Sequence, residues 1–122
     1  MTLNAAMPTE ICLHKQSRIL EVAFDDGQRY QLPCEYLRVY SPSAEVRGHS
    51  PNQAVLQIGK ARVSIVNVEP VGHYALKLTF DDGHDSGLYT WIYLYELGRD
   101  YAFHWQDYLD RLNQAGASRE PL

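Results

Sequence analysis

The sequence predicts a single α+β domain, with an antiparallel sheet of five to six strands built from hairpins and two to three helices that include a C-terminal amphipathic helix. Three observations predict this class: a repeated strand–turn–strand pattern, a β-branched stretch over residues 61–68, and apolar residues at helical spacing after residue 100. A length of 122 residues fits one domain, and 45% hydrophobic with 21% charged residues is ordinary globular composition. These values exclude a disordered chain.

An internal repeat organises the predicted strands. Residues 20–27 (LEVAFDDG) recur as residues 76–83 (LKLTFDDG). Each copy alternates apolar and other residues with the period of a half-buried strand and ends in Asp-Gly, which is a strong signal for a tight hairpin turn. After one inserted residue the copies align again, so that Tyr36 corresponds to Tyr93. Each copy therefore predicts a strand, a turn, a second strand and a short helix.

Alternation predicts the other strands, and capping residues predict the helices. Further strands are expected at residues 10–14 and 61–68, and a short one around Leu56 and Ile58. Three helices are predicted, at residues 34–38, 91–97 and 101–114. They are expected to begin at Pro33, Thr90 and Asp100 in that order. Gly98 is expected to end the second helix and Gly116 the third.

These elements define the expected domain organisation. The main domain covers residues 8–98, and the C-terminal helix at 99–116 packs on it. Residues 1–7 and 117–122 are expected to be flexible tails. Residues 41–54 predict a long loop with one helical turn at 43–47, and long loops of this kind are often functional or mobile.

Charge and cysteine content limit the expected cellular location and the classes of binding partner. With 11 basic and 15 acidic residues the net charge is −4 and the pI is near 5.6, which argues against a nucleic-acid partner. No apolar run is long enough to cross a membrane, and the first ten residues do not resemble a secretory signal. Cys12 and Cys34 form no Cys-x-x-Cys pair, so we expect reduced thiols and a cytoplasmic location.

Residues 80–91 (FDDGHDSGLYTW) contain the strongest candidate for a metal site. Asp82, His84 and Asp85 offer carboxylate and imidazole ligands suited to zinc, iron or manganese, and His49 in the long loop is a possible fourth ligand. The alternative is a polar hairpin turn with solvated side chains, because residues 24–27 are a near-copy without the histidine.

Several catalytic and nucleotide-binding motifs are missing from the sequence. It has no EF-hand loop, no phosphate-binding glycine loop, no Gly-x-Ser-x-Gly elbow, and no His-x-Asp/Glu pair of the kind used by nonhaem iron oxygenases. We therefore expect no catalytic activity.

Aromatic residues concentrate in the C-terminal third and predict a partner-binding surface. Tyr and Trp are enriched at interfaces because they combine apolar area with a polar group. The candidate residues are Tyr89, Trp91 and Tyr95, with Arg38 and Arg47 flanking them. The alternative is that these aromatic residues pack the core beneath the last two helices.

Seven segments resemble a known family, the gamma-butyrobetaine hydroxylase-like N-terminal domain, long catalogued as a bacterial domain of unknown function. The matching segments are residues 8–11, 24–27, 32–38, 41–46, 68–72, 74–75 and 80–91. The similarity covers residues 8–98, and the run from Val68 to Trp91 is its most specific part. In the carnitine-pathway oxygenases this domain precedes the catalytic jelly roll and is not itself the catalyst.

The resemblance also implies a zinc site that this sequence has altered. The family holds a structural zinc through three cysteines and a histidine, and those positions correspond here to Ser41, Ser43, Val46 and His84. Serine is a poor zinc ligand and valine has no donor atom, so no cofactor is expected, although zinc or iron remains possible. The domain also resembles one attached to P-loop ATPases that carry iron–sulfur clusters, which implies a protein-docking or cluster-handling role.

The sequence leads to two principal hypotheses. In the first, the chain is a non-catalytic accessory module that docks a protein partner and binds neither nucleic acid nor membrane. In the second, it is an accessory protein that binds zinc or iron and is linked to iron–sulfur cluster or oxygenase systems. A small enzyme is a third and weaker alternative, because no nucleophile or acid–base pair stands out.

Overall fold

The computed structural model describes residues 6–48 and 54–121 and shows an α+β fold. The elements in chain order are β1 (Pro8–His14), β2 (Ile19–Phe24), β3 (Arg29–Pro33), α1 (Cys34–Val39), α2 (Ala44–Arg47), β4 (Ile65–Val71), β5 (Ala75–Phe80), β6 (Leu88–Thr90), α3 (Trp91–Arg99) and α4 (Tyr101–Ala115).

The six strands in the described part of the chain form two separate antiparallel sheets, which corrects the expectation of one sheet of five to six strands. One sheet has the order β1-β2-β3, and the other has the order β4-β5-β6. Hairpin signals act over a few residues and specify pairing only within each copy of the repeat. The sequence carries no comparable signal for pairing between the copies, and each copy makes its own sheet. Residues 6–48 and 54–121 contain four helices rather than the expected two to three, because the helical turn near residue 44 is a short helix.

The predicted repeat of strand, turn, strand and helix is present in both halves. β2, β3 and α1 follow one another in the first copy, and β5, β6 and α3 do so in the second. Gly27 and Gly83 adopt φ values of +89° and +90° at the two turns, a conformation that glycine reaches without strain.

The main core lies between the two sheets and the helices, and a smaller cluster of Val39, Tyr108 and Leu112 packs beneath α4. The alternating residues of both repeats point into the main core, and Tyr36, Tyr89 and Leu94 fill its centre with no exposed surface. Full burial of a large apolar side chain contributes about 1.5–3 kcal/mol, so this shared core ties the two sheets together without strand pairing.

Helices α3 and α4 follow β6 directly and cover one side of the core. Thr90 begins α3, and its side-chain oxygen accepts a hydrogen bond from the backbone N–H of Tyr93. Asp100 was expected to cap α4 in the same way, but its carboxylate pairs with Arg99 instead. Gly116 ends α4 in the left-handed conformation, as the sequence indicated.

Two strand predictions differ from the structure. The strand expected at residues 61–68 runs from Ile65 to Val71, and no strand forms anywhere between residues 54 and 64. Pro70 lies inside β4, which is possible because β4 is an edge strand and one of its sides needs no backbone donor.

The C-terminal segment makes specific contacts with the rest of the domain. The carbonyl groups of Ser118 and Arg119 accept hydrogen bonds from the backbone N–H groups of Gly59 and Ala61. Arg119 also forms two 2.8 Å hydrogen bonds to the buried carboxylate of Glu35. These bonds fasten residues 118–119 onto α1 and the 59–61 stretch.

Within the described ranges, no helix is both long enough and apolar enough to span a lipid bilayer.

Candidate functional site

A network of small polar side chains connects α2 with the loop between β5 and β6. We call it the serine–histidine network, and its members are Ser41, Ser43, Glu45, His84 and Ser86. Ser41 Oγ lies 2.8 Å from His84 Nε2, and Glu45 Oε1 lies 3.2 Å from His84 Nδ1. Ser43 Oγ lies 2.7 Å from Ser86 Oγ, which donates to Glu45 Oε1 at 3.2 Å.

The bonding pattern fixes the direction of each hydrogen bond. A carboxylate only accepts, so the Nδ1 atom of His84 carries the proton that faces Glu45. The Nε2 atom then accepts from the Ser41 hydroxyl, and Ser43 donates to Ser86. Each hydroxyl in the network therefore has an acceptor, and both nitrogen atoms of His84 are used.

His84 is held in its neutral form by its surroundings. Burial lowers the pKa of His84 below its ordinary value, and the nearby Arg38 guanidinium lowers it further. Glu45 and Asp82 oppose this shift but do not cancel it. A neutral imidazole both donates and accepts, as its place between Glu45 and Ser41 requires.

Local sequence explains how the network assembles. Ser43 precedes α2, and its side chain accepts a hydrogen bond from the backbone N–H of Glu45. This bond starts the helix that carries Glu45 toward His84. On the other side, Gly87 lies so close that a Cβ atom there would be 2.5 Å from Ser41 Oγ. Only glycine allows the two segments this approach.

The order serine, histidine and carboxylate is that of a nucleophile, its base and an orienting group. Here, however, Ser41 has no exposed surface, and its Oγ also accepts from the backbone N–H of Ser43. Gly87 lies directly against the same hydroxyl. The hydroxyl is thus enclosed by the protein and is not presented to a substrate.

Asp82 lies beside the network at the centre of an ion-pair cluster. One of its oxygens accepts from Arg38 at 2.9 Å and from Lys60 at 2.7 Å, and the other accepts from the backbone N–H of His84. Burial would raise the pKa of Asp82, but the hydrogen bonds from Lys60, His84 and Arg38 outweigh it and lower the pKa to about 2.

The metal ligands predicted from the sequence do not converge on one point. His84 faces Ser41 and Glu45, the Asp82 carboxylate faces two cations, and Asp85 lies 3.7 Å from Lys77. His49 is outside the described residues. In the part of the chain that the structure describes, no three histidine, cysteine or carboxylate side chains form a metal-binding group.

Two of the five residues predicted to bind a partner are core residues instead. Tyr89 has no exposed surface, and its hydroxyl donates to the carbonyl of Leu37. Arg38 is 7% exposed because it reaches inward to Asp82 and Gln57. The period-two pattern of β6 could have identified Tyr89 as an inward position, since it alternates with exposed Leu88.

The other three predicted residues lie at or near the surface. Trp91 and Tyr95 are half-buried on α3, whereas the exposed Arg47 places its guanidinium 4.7 Å above the ring centre of Tyr93. Arg47, which lies in α2, therefore contacts a different side of α3 from the side that carries Trp91 and Tyr95.

A patch of apolar side chains surrounds the beginning of α3. We call it the α3 surface and define it by Tyr74, Trp91, Ile92 and Tyr95. Tyr74 is 54% exposed and Ile92 is 56% exposed. The backbone N–H of Trp91 donates to the Tyr74 carbonyl, which places these residues side by side.

Sequence reasoning missed several of these residues. Glu45 and Ser86 were not considered as partners of His84, and Tyr74 and Ile92 were not proposed as surface residues. The signal for Ile92 was available, because a large apolar residue next to Trp91 and out of phase with Leu94 and Leu97 must face away from the core. The partners of His84 depend on contacts across more than 35 residues, which local patterns do not encode.

Comparison with known proteins settles the family. The sequence model of the family described as "Gamma-butyrobetaine hydroxylase-like, N-terminal" matches residues 11–95. The chain belongs to this family. The resemblance noted from the sequence is therefore confirmed, and the match contains the serine–histidine network and the start of α3.

Solved structures of related proteins share the fold. One protein determined by NMR in solution is 54% identical, with a TM-score of 0.84, over 98% of this chain and 94% of its own. A second NMR structure is 52% identical, with a TM-score of 0.83, over 100% of this chain and 92% of its own. A protein of unknown function of the DUF971 family from Acidithiobacillus ferrooxidans ATCC 23270 is 42% identical, with a TM-score of 0.64, over 75% of this chain and 92% of its own. No curated protein matches the chain.

Proposed function

We propose that this family member is a non-catalytic binding module that docks a protein partner through the α3 surface. The observation that carries the proposal is that Tyr74 and Ile92 are both more than half exposed and both adjoin Trp91, Tyr74 through a backbone hydrogen bond and Ile92 as the next residue in the chain. Large exposed apolar side chains that lie together, rather than singly, are typical of sites of protein interaction. Aromatic residues at the centre of such a patch often supply most of the binding energy.

The patch rests on a rigid base, which favours binding. The indole N–H of Trp91 donates to the carbonyl of His73, and the hydroxyl of Tyr95 donates to Asp26. Each bond joins α3 to the tip of a different hairpin. Side chains that are already fixed lose little freedom when a partner binds, so more of the contact energy appears as affinity.

The enclosed position of Ser41 supports a non-catalytic role. The three groups that resemble a catalytic set are all used in holding α2 to the loop between β5 and β6. We interpret the serine–histidine network as the structural support that occupies the place of the family's zinc site, and we propose no cofactor. Zinc or iron binding is the competing hypothesis, and metal analysis distinguishes the two.

We also propose that the protein acts in the cytoplasm. Cys12 is exposed and Cys34 is buried, and both are free thiols. Free thiols persist in a reducing compartment, which supports this location.

The docking proposal is tested by a charge placed on the α3 surface. Ile92→Glu introduces a carboxylate in the first turn of α3, where a negative charge suits the helix and should not disturb folding. The matched control is Phe103→Glu, since Phe103 is 72% exposed and lies in the first turn of α4. Both variants and the wild type are tagged and expressed in the native host, and the retained proteins are quantified by mass spectrometry.

We expect one or a few proteins to be retained by the wild type and by Phe103→Glu, and reduced on the order of tenfold or more with Ile92→Glu. Circular dichroism and thermal unfolding of the three purified proteins should agree. The proposal is wrong if every retained protein binds Ile92→Glu as well as it binds the wild type.

A further inference from the structure

A small pocket on another side of the molecule combines two arginines with an apolar wall. It has a volume of about 110 Å³ and lies between the α1–α2 region, residues 54–57, α3 and α4. Arg47 and Arg111 line it, and Val39, Val46 and Val55 contribute apolar surface. In a protein with a net charge of −4, a concave site with two guanidinium groups is unusual enough to require an explanation.

Both guanidinium groups are positioned by aromatic rings. Cζ of Arg47 lies 4.7 Å from the ring centre of Tyr93, and Cζ of Arg111 lies 5.9 Å from that of Tyr40. The rings are themselves fixed, because the Tyr93 hydroxyl donates to the Tyr40 carbonyl and the Tyr40 hydroxyl donates to the His104 carbonyl. The contact with Tyr93 holds the Arg47 guanidinium by its face and leaves N–H groups in its plane available as donors. Arg111 donates one of its N–H groups to the Tyr40 hydroxyl, 3.2 Å away, and keeps the remaining terminal N–H groups for another acceptor.

The protein does not neutralise these two positive charges fully. Among residues 6–48 and 54–121, no carboxylate lies within ion-pair distance of Arg47. Arg111 has one acidic neighbour, Asp107, whose Oδ2 is 3.2 Å from Nε. That Nε atom is enclosed and has no acceptor in hydrogen-bond geometry within the described part of the chain. One unit of positive charge therefore remains beside the pocket, whereas the enclosed Nε of Arg111 lies against Asp107 and is not a donor to the pocket.

The dimensions of the pocket limit what it can hold. An apolar cavity of about 150 Å³ accommodates a benzene molecule, and this pocket is smaller. A group with a few heavy atoms fits, and its oxygen atoms would meet the planar N–H forks of arginine, which match carboxylate and phosphate geometry. The apolar wall lowers the local dielectric constant and strengthens the attraction between such a group and the arginines.

We propose that this pocket binds a small oxyanion, either phosphate or the carboxylate of a short acid, between Arg47 and Arg111. The site is separate from the α3 surface, so the proposal does not depend on partner docking. Ser41 of the serine–histidine network also lines the pocket, but the contacts proposed for the anion are those of the two arginines.

An NMR titration tests this proposal directly. Uniformly ¹⁵N-labelled protein is titrated with inorganic phosphate in one arm and sodium propionate in the other, and sodium chloride at equal ionic strength serves as the reference. We expect saturable shifts of the amides of residues 39–40, 46–47 and 55–57 with at least one of the two anions. The anion that binds more tightly shows whether the pocket prefers phosphate or a carboxylate.

Variants connect the shifts to the arginines. Arg47→Gln removes an exposed charge without disturbing the core, and we expect it to weaken binding on the order of tenfold or more. Arg111→Gln should weaken binding similarly. Arg62→Gln is the control, because Arg62 is 73% exposed and lies away from the pocket, and it should bind like the wild type. Shifts that chloride reproduces, or that Arg47→Gln leaves unchanged, would overturn the proposal.

Discussion

The two Asp-Asp-Gly hairpin turns have the same construction. In each turn the phenylalanine N–H donates to the carbonyl four residues ahead, and the glycine N–H donates back to the phenylalanine carbonyl. The second aspartate of each turn, Asp26 or Asp82, accepts from the backbone N–H two residues on. The first aspartate of each turn exchanges hydrogen bonds with a residue just before the neighbouring strand. Asp25 bonds in this way with Met7, and Asp81 with Ser64. The eight repeated residues therefore specify the same local structure twice.

The two turns differ in what their side chains bind beyond the hairpin. Asp26 accepts from the Tyr95 hydroxyl at the surface, and Gln28 is exposed. In the second copy Asp82 accepts from Arg38 and Lys60, and the residue that corresponds to Gln28 is the buried His84. One turn therefore supports helix α3, and the other anchors the serine–histidine network. The same backbone motif therefore serves two roles, and the role depends on which side chains, distant in sequence, bond to the turn.

The largest expected difference between the turns concerns their second aspartates. Asp82→Ala leaves Arg38, whose side chain is only 9% exposed, without its carboxylate. We expect it to reduce the free energy of unfolding by about 2–3 kcal/mol, because a buried charge that loses its partner is strongly unfavourable. Asp26→Ala removes an exposed contact and should behave like an ordinary surface substitution. Urea denaturation of both variants measures the difference, and equal losses would contradict the account.

The two turn glycines should respond alike. Gly27 and Gly83 have φ values of +89° and +90°, and a Cβ at either would meet no atom within 4 Å. Alanine at either position therefore introduces only backbone strain, which we expect to cost about 1 kcal/mol or somewhat more in each case. Thermal unfolding of the paired variants checks this equality. A clear difference between them would show that the two turns are not equivalent in the backbone.

The smallest expected effect is a pH dependence found in one copy only. The pKa of His84 is lowered below 6.5 in the folded protein, so the unfolded chain takes up a proton at a higher pH than the folded one. The stabilisation that His84 provides is present above pH 6.5 and is lost as the pH falls through its folded pKa. Comparing the urea midpoints of wild type and His84→Gln between pH 8 and pH 5 should show a smaller decline in the variant, while Gln28→Asn should leave the decline unchanged. Identical slopes in wild type and His84→Gln would contradict this assignment.

The sequence predicted the features that depend on neighbouring residues. The two hairpins, the cap at Thr90 and the helix end at Gly116 are all local, and they were predicted correctly. The division into two sheets was not predicted, because nothing in a hairpin pattern encodes which edges remain apart.

The candidate site could be predicted only in part for the same reason. His84 was singled out, but its partners Ser41 and Glu45 are about 40 residues away in sequence. The family resemblance brought Ser41 and His84 together as positions of a zinc site, and the structure does place them in contact. Tyr89 was misjudged because its aromatic character suggested an interface, whereas the pleat of β6 directs it into the core.

Metal analysis is the decisive test of our proposal that hydrogen bonds among Ser41, Ser43, Glu45, His84 and Ser86 take the place of the zinc site that the family resemblance implies. Zinc and iron are measured by mass spectrometry in tag-free wild type, His84→Ala and the control His73→Ala, whose histidine is exposed on the β4–β5 turn. Each protein is purified both with and without oxygen. We expect the same background level of both metals in all three proteins. About one ion per chain in wild type and His73→Ala, with none in His84→Ala, would contradict the proposal.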